Sequence, residues 1–183
     1  VLIGQGSVGG AIHHDGGSFQ ISSCSFNGNF SGGYGGGLST EDSANTIDSC
    51  TFTNNISNGS GGGLSTINSA NNIYSCTFAG NVAGEGDGGG IAAYGNIDST
   101  VINNCILSNN TAERGGGVFS YGGGGILALQ SCSFINNVAN TIGGGLCRYG
   151  NATLLGCEFD NNTSLGSGGG VYGDSGETLI LQD

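Results

Sequence analysis

The side chains in this sequence that could do chemistry are few in kind. Seven cysteines, seven Asn-x-Ser/Thr sequons, the His13-His14 pair, 13 acids, two arginines and a set of tyrosines make up the reactive inventory. Thiols can pair, ligate metal or attack a carbonyl, and a carboxylate pair can act as general acid and base; the spacing of each set decides which of these is available. Cys24, Cys50, Cys76, Cys105, Cys132 and Cys157 recur at 26, 26, 29, 27 and 25 residues, and no C-x-x-C pair exists, so a zinc site is not indicated. If each cysteine occupies the same place on successive parallel strands, their Cβ atoms lie about 4.8 Å apart, beyond the roughly 3.5–4.5 Å of a disulfide. The expectation is a stack of free, buried thiols acting as small hydrophobes. Cys147 stands outside this column beside Leu146. It is expected to face outward and to be the one cysteine open to reaction or intermolecular pairing.

Catalysis finds little support. The acids are scattered, Arg114 and Arg148 are the only bases, and His13-His14 have only Asp15 beside them. A carboxylate pair at fixed separation, or acids clustered with Lys or Arg on one face, is missing, so the chain reads as a non-enzyme. No cofactor motif occurs. Glu85 and Asp87 come nearest to a calcium loop, yet no G-G-x-G-x-D array recurs. The net charge of −11 repels phosphate backbones and anionic lipid, which excludes nucleic acid as a partner. No apolar run approaches the roughly 20 residues of a membrane helix, so direct membrane insertion is not expected.

The elements that must hold these side chains are set by a repeat. Each unit reads GGG-φ, a variable polar stretch, then φ-x-x-Cys-x-Phe-x-x-Asn and a short loop. The apolar residue after the glycines is Ile12, Leu38, Leu64, Ile91, Val118, Leu146 or Val171, and the Asn is Asn29, Asn55, Asn81, Asn110, Asn137 or Asn162. Cys and the Phe two positions on share a face of a strand, whereas the Ile or Leu three positions before Cys cannot share it without a corner, often at a Ser as in Ser22-Ser23. Asn marks a second corner, and the glycines introduce a third short strand. Three short strands in about 26 residues is one coil of a right-handed, single-stranded parallel β-helix, an all-β solenoid. About seven such coils form a single domain over residues 1–183, because one coil cannot bury its apolar face alone. The 29-residue Cys spacing is assigned to an outward loop around Gly95-Asn96-Ile97-Asp98.

The GGAI at 9–12 and the FxxN tetrapeptides at 26–29, 52–55, 78–81, 134–137 and 159–162 resemble the repeat of the chlamydial polymorphic outer membrane proteins, over residues 9 to 173. Six of the seven glycine motifs are GGG-φ rather than GGA-φ, and residues 107–110 read LSNN. That family consists of surface adhesins with a β-helical passenger, so the resemblance implies an extracellular or surface-displayed β-helix with an adhesive role.

The columns also nominate sites. The Asn column reads as an inward hydrogen-bonded ladder. The column before it, Gly28, Asn54, Gly80, Asn109, Asn136 and Asn161, contains the residue types that accept a left-handed conformation, with side chains outside. Three positions after each φ stand Asp15, Glu41, Ile67, Tyr94, Tyr121, Tyr149 and Asp174. Tyr94, Tyr121 and Tyr149 thus form a surface ladder able to bind sugar faces or a partner protein. Asn58, Asn109, Asn151 and Asn161 are candidate glycan attachment sites, while Asn29, Asn55 and Asn162 should be shielded in the ladder. The glycine column offers a flank bare of side chains, against which a second rod or a glycan could lie. Val1-Leu2-Ile3 and Leu179-Ile180-Leu181 are apolar, and residue 184 would be the next Cys by column count. The chain is therefore expected to continue as a longer rod or to stack end to end with copies of itself. Glycans and host or cell-surface molecules are the other partners considered. The leading function is an adhesin stalk or filament subunit, and the alternative is a carbohydrate-binding or polysaccharide-processing β-helix.

Overall fold

A computed structural model describes residues 4–95, 99–122, 124–174 and 178–183. One coil runs through the strands Leu64–Ile67, Ala70–Tyr74, Thr77–Ala79 and Val82–Ala83. Each pairs in parallel with its counterpart one repeat later: Leu64 with Ile91, Asn71 with Thr100, Phe78 with Leu107 and Val82 with Thr111. Among the described residues the strands assemble into sheets of six, seven and twelve strands, and the chain is an all-β parallel solenoid of about seven turns. Stacking of identical positions is what the 26-residue period demands, since parallel strands pair in register only if every coil has the same outline.

The core is the set of columns already visible in the repeat. Phe26, Phe52, Phe78, Leu107 and Phe134 are fully buried together with Leu38, Leu64, Ile91, Val118 and Leu146. Rings of adjacent coils lie face to face: Phe26 on Phe52 at 4.5 Å, Phe52 on Phe78 at 4.7 Å and Phe134 on Phe159 at 4.5 Å. Each buried ring contributes roughly 1.5–3 kcal/mol of transfer free energy, and the column repeats that contribution once per coil.

Residues with positive φ turn the corners. Ser23, Ser49, Ser75, Asn104, Ser131 and Gly156, each just before a column Cys, have φ of 51–55°, which locates the corner expected between the Ile or Leu and Cys columns. Gly28, Asn54, Gly80, Asn109, Asn136 and Asn161 are likewise left-handed, with φ from 51 to 66°. The structure adds one short strand to the expected three, Val82–Ala83 in the coil above, between the Asn corner and the glycines. The strand that carries the Ile column, Ala70–Tyr74 in this coil, takes in part of the variable polar stretch and is set off by a further left-handed corner at Asp42, Asn68 or Gly95. Its inward position two residues before the Ile is a buried amide: Asn45 and Asn71 are only 2% and 1% exposed. Asn45 Nδ2 donates to Asn71 Oδ1 at 2.9 Å and to Thr40 Oγ1 at 3.0 Å, and Asn71 Nδ2 donates to Thr66 Oγ1 at 3.1 Å.

The glycine flank is not bare. Gly35, Gly36 and Gly37 are buried, and their equivalents in later coils lie against the next coil's own backbone. A Cβ on Gly89 would meet Gly116 O at 2.5 Å and Thr111 N at 2.6 Å, so the glycines exist for close approach within the rod and leave no room for a second rod or a glycan. Residues 1–3 and 96–98, which carry the apolar start and most of the outward loop read from sequence, lie outside the described residues. At the other end, Leu179, Ile180 and Leu181 are 39%, 42% and 64% exposed along the strand Leu179–Gln182. No helix among the described residues is long and apolar enough to cross a membrane.

Candidate functional site

The Asn column forms a continuous ladder. Asn29 Nδ2 donates to Asn55 Oδ1 at 2.7 Å, Asn55 to Asn81 at 2.9 Å, Asn81 to Asn110 at 3.0 Å, Asn110 to Asn137 at 3.0 Å and Asn137 to Asn162 at 2.9 Å. The same Oδ1 atoms accept the backbone N–H of the preceding coil's Asn, and the second amide proton goes to a carbonyl one coil earlier, as from Asn81 to Phe52 O. At Asn55, Asn81, Asn110 and Asn137 both amide protons and the carbonyl are bonded within the rod, so these rungs hold the corner. Asn29 and Asn55 are buried, and the Asn162 side chain is tied into the ladder, which shields these three sequons. Asn58, Asn109, Asn151 and Asn161 are exposed.

Cys50, Cys76, Cys105 and Cys132 are buried and Cys24 and Cys157 half-buried in the expected inward column. Their thiols donate to the carbonyl two residues earlier, as from Cys76 to Tyr74 O at 3.1 Å. Cys147 contradicts its expected exposure: it is fully buried. Alternation directs its side chain away from the main core, and Phe119, its neighbour in the preceding coil, is 1% exposed in the same column. Burial pushes the Cys147 thiol up to about 12 from its ordinary 9.0, so it is an inert packing group rather than a reactive one.

What covers Cys147 is the feature that sequence reasoning missed. Ala92, Phe119 and Cys147 form an outward-pointing column that is nonetheless buried, because the segment before each glycine run folds across it. Asp87 and Arg114 come from that segment. Arg114 Nε and Nη2 donate to Asp87 Oδ1 and Oδ2, both at 2.7 Å, and its guanidinium lies 4.9 Å from the Phe119 ring and 5.8 Å from the Tyr149 ring. Tyr94 O–H donates to Asp87 Oδ2 at 2.7 Å and accepts from Ser60 Oγ at 2.8 Å. Burial, foremost, pushes the Tyr94 phenol above its ordinary range. Ser60 in turn accepts the Asp87 backbone N–H. Asp87 thus accepts three hydrogen bonds from a guanidinium and a phenol, which engages its carboxylate in holding the rod together.

Tyr94, Tyr121 and Tyr149 do stack in register, as the column predicts. They are not equivalent: Tyr94 is half-buried on Asp87, whereas Tyr121 is 56% exposed with its ring 5.8 Å from that of Tyr149. Tyr172 continues the aromatic run at 6.1 Å from Tyr149. Beside this run a groove of about 490 Å³ is lined by Tyr34, Asn58, Ser60, Glu85 and Asp87 over a floor of Gly32, Gly33, Gly59 and Gly86. Tyr34 is 43% exposed, and the buried hydroxyls of Ser39 and Ser65, in the same outward column as Ala92, have no protein partner. The other base is consumed structurally. Arg148 is 2% exposed and donates to the carbonyls of Tyr149, Asn151 and Gly125 and to Ser120 Oγ, clamping the segments that follow two strands.

Stacked parallel coils with polar ladders at their corners define the β-solenoid class. The chain belongs to the family described as right handed beta helix region, whose profile matches residues 7–183. Among curated proteins and solved structures, none matches the chain.

Proposed function

We propose that this chain is a non-enzymatic, extracellular structural element: a β-helical stalk segment of a surface adhesin or of a filament. The observation that carries the reading is the unbroken run of in-register ladders through every described coil, with both arginines spent on holding the rod together. A polysaccharide lyase or hydrolase needs an ionisable group free to exchange protons beside a cationic or carboxylate partner. Here Asp87 is occupied, and no group of three or more His, Cys, Asp or Glu side chains converges to hold a metal among the described residues. Electron microscopy of the native material tests the reading: rods or filaments of coil-stack width support it. Turnover of an acidic polysaccharide by the purified chain, abolished by Asp87→Asn, overturns it.

A second reading, carbohydrate binding without turnover, is favoured by the exposed Tyr34 ring in a groove whose glycine floor lets a sugar approach backbone, and by the exposed Tyr121 ring on the aromatic run. Glycan-array binding lost tenfold or more in Tyr34→Ala and Tyr121→Ala supports it, and equal binding by wild type and both variants removes it. Exposed Asn58, Asn109, Asn151 and Asn161 are the proposed attachment points for sugar on the rod itself, and the apolar strand Leu179–Gln182 is the edge on which a further coil, from the same chain or another copy, would pair.

A further inference from the structure

The thiol column is a set of reactive groups that neither reading uses. Cys105 Sγ lies 3.3 Å from the backbone N of Cys76, Cys76 Sγ 3.4 Å from that of Cys50, and Cys50 Sγ 3.4 Å from that of Cys24. Each of these sulfurs therefore receives an N–H from the coil before it. At Cys76 and Cys105 the column meets the surface: a concavity of about 360 Å³ is lined by both residues together with Ser75, Asn104 and Ser131. Both residues are only 1% exposed, and Asn104 Nδ2 reaches Ser75 Oγ at 3.4 Å across the concavity.

We propose that Cys76 and Cys105 form a two-coordinate site for a soft monovalent cation, Cu(I) or Ag(I). Two metal–sulfur bonds of about 2.3 Å laid in line span about 4.6 Å, close to the roughly 4.8 Å that separates equivalent atoms on adjacent parallel strands. A disulfide needs the Cβ atoms closer than that spacing provides, and zinc needs four ligands, whereas no third His, Cys, Asp or Glu joins a cluster among the described residues. Soft thiolates in a low-coordinate setting select Cu(I) over harder ions. On binding, both thiols give up a proton to solvent and two sulfur–metal bonds form, with no change in oxidation state. The bis-thiolate complex carries one net negative charge, and the N–H groups of Cys50 and Cys76 already point at the two sulfurs that would bear it.

The test is titration of the folded 183-residue chain with silver nitrate in chloride-free buffer, read by native mass spectrometry and by thiolate-to-silver ultraviolet absorption. The expected result is one tightly held silver ion per chain. Affinity falls at least tenfold in Cys76→Ser and in Cys105→Ser, and is unchanged in Cys24→Ser and Cys147→Ser, with circular dichroism verifying the fold of each. X-ray absorption of the silver-loaded wild-type chain gives a readout independent of any variant, and two sulfur neighbours in line support the site. Uptake that is equal in all variants, uptake that appears only after unfolding, or a metal neighbourhood of oxygen, nitrogen or more than two sulfurs overturns it.

Discussion

Replacing Asn81 by alanine removes the middle rung of the Asn ladder, and the structure sets the size of the loss. Asn81 is fully buried; its Oδ1 accepts from Asn55 N at 3.0 Å and Asn55 Nδ2 at 2.9 Å, and its Nδ2 donates to Phe52 O at 2.9 Å and Asn110 Oδ1 at 3.0 Å. After the change, Asn55 Nδ2 still reaches Phe26 O and Asn110 Oδ1 still accepts Asn81 N, so two groups lose only one of two bonds. Asn55 N and Phe52 O lose the side-chain partner that served them inside the corner. An unsatisfied buried polar group costs about 1–3 kcal/mol and a lost bond with a surviving alternative about 1 kcal/mol, so the expected destabilisation is about 4–8 kcal/mol. Asn54→Ala is the control: exposed, left-handed at φ 54°, it should cost only about 1–2 kcal/mol of backbone strain. Urea denaturation followed by circular dichroism measures both. Because coils couple mainly to neighbours, hydrogen exchange at Asn55 and Asn110 should report the loss locally as well. Equal midpoints for Asn81→Ala and Asn54→Ala would refute the claim that the amide ladder, rather than the left-handed turn, secures this corner.

Gly89→Ala should prevent a soluble fold or shift the melting transition by many degrees, because its Cβ would sit 2.5 Å from Gly116 O, whereas Gly124→Ala, with nothing within 4 Å, should melt as wild type; differential scanning fluorimetry separates them. Arg114→Ala strips a bidentate partner from Asp87, which is 5% exposed, and should destabilise by about 2 kcal/mol once the half-exposed position of Arg114 is allowed for, with Asp87→Asn milder, as read from urea midpoints. Cys147 has its folded pKa raised to about 12 from 9.0, so the unfolded chain ionises first: its contribution is fully present below pH 9 and is lost as pH rises through 12. Urea midpoints should therefore fall between pH 9 and 12, and less steeply in Cys147→Val.

The columns of Phe, Cys and Asn were legible because each recurs once per coil and each coil sees the same surroundings. The left-handed Gly/Asn position before each ladder Asn was legible from residue type alone, and φ bears it out at all six positions. Two things were not. The strand Val82–Ala83 is only two residues long, too short to show alternation, and in the Ile-bearing strand Ala70–Tyr74 the inward Asn71 is satisfied by Thr66 and Thr100 rather than by hydrocarbon. The position of Cys147 was misread because a strand's alternation tells which side a residue faces, but not whether something else covers that side. A faint signal existed: Phe119, also one residue after φ, is too large and apolar for an open surface.

By itself the sequence determined the coil, its period, its core columns and the Asn ladder, because in a solenoid those depend only on contacts between one repeat and the next. The tertiary structure alone decided that the corner at the glycines brings the Asp87 segment over the outward face of the following strand. That contact joins Ser60, Asp87 and Arg114, each immediately before a glycine run on successive coils, with Tyr94 and Phe119 of the strands that follow. The period marks their positions but not their meeting, which depends on how two arms of the coil are angled, and the glycines between those arms say only that the approach is close.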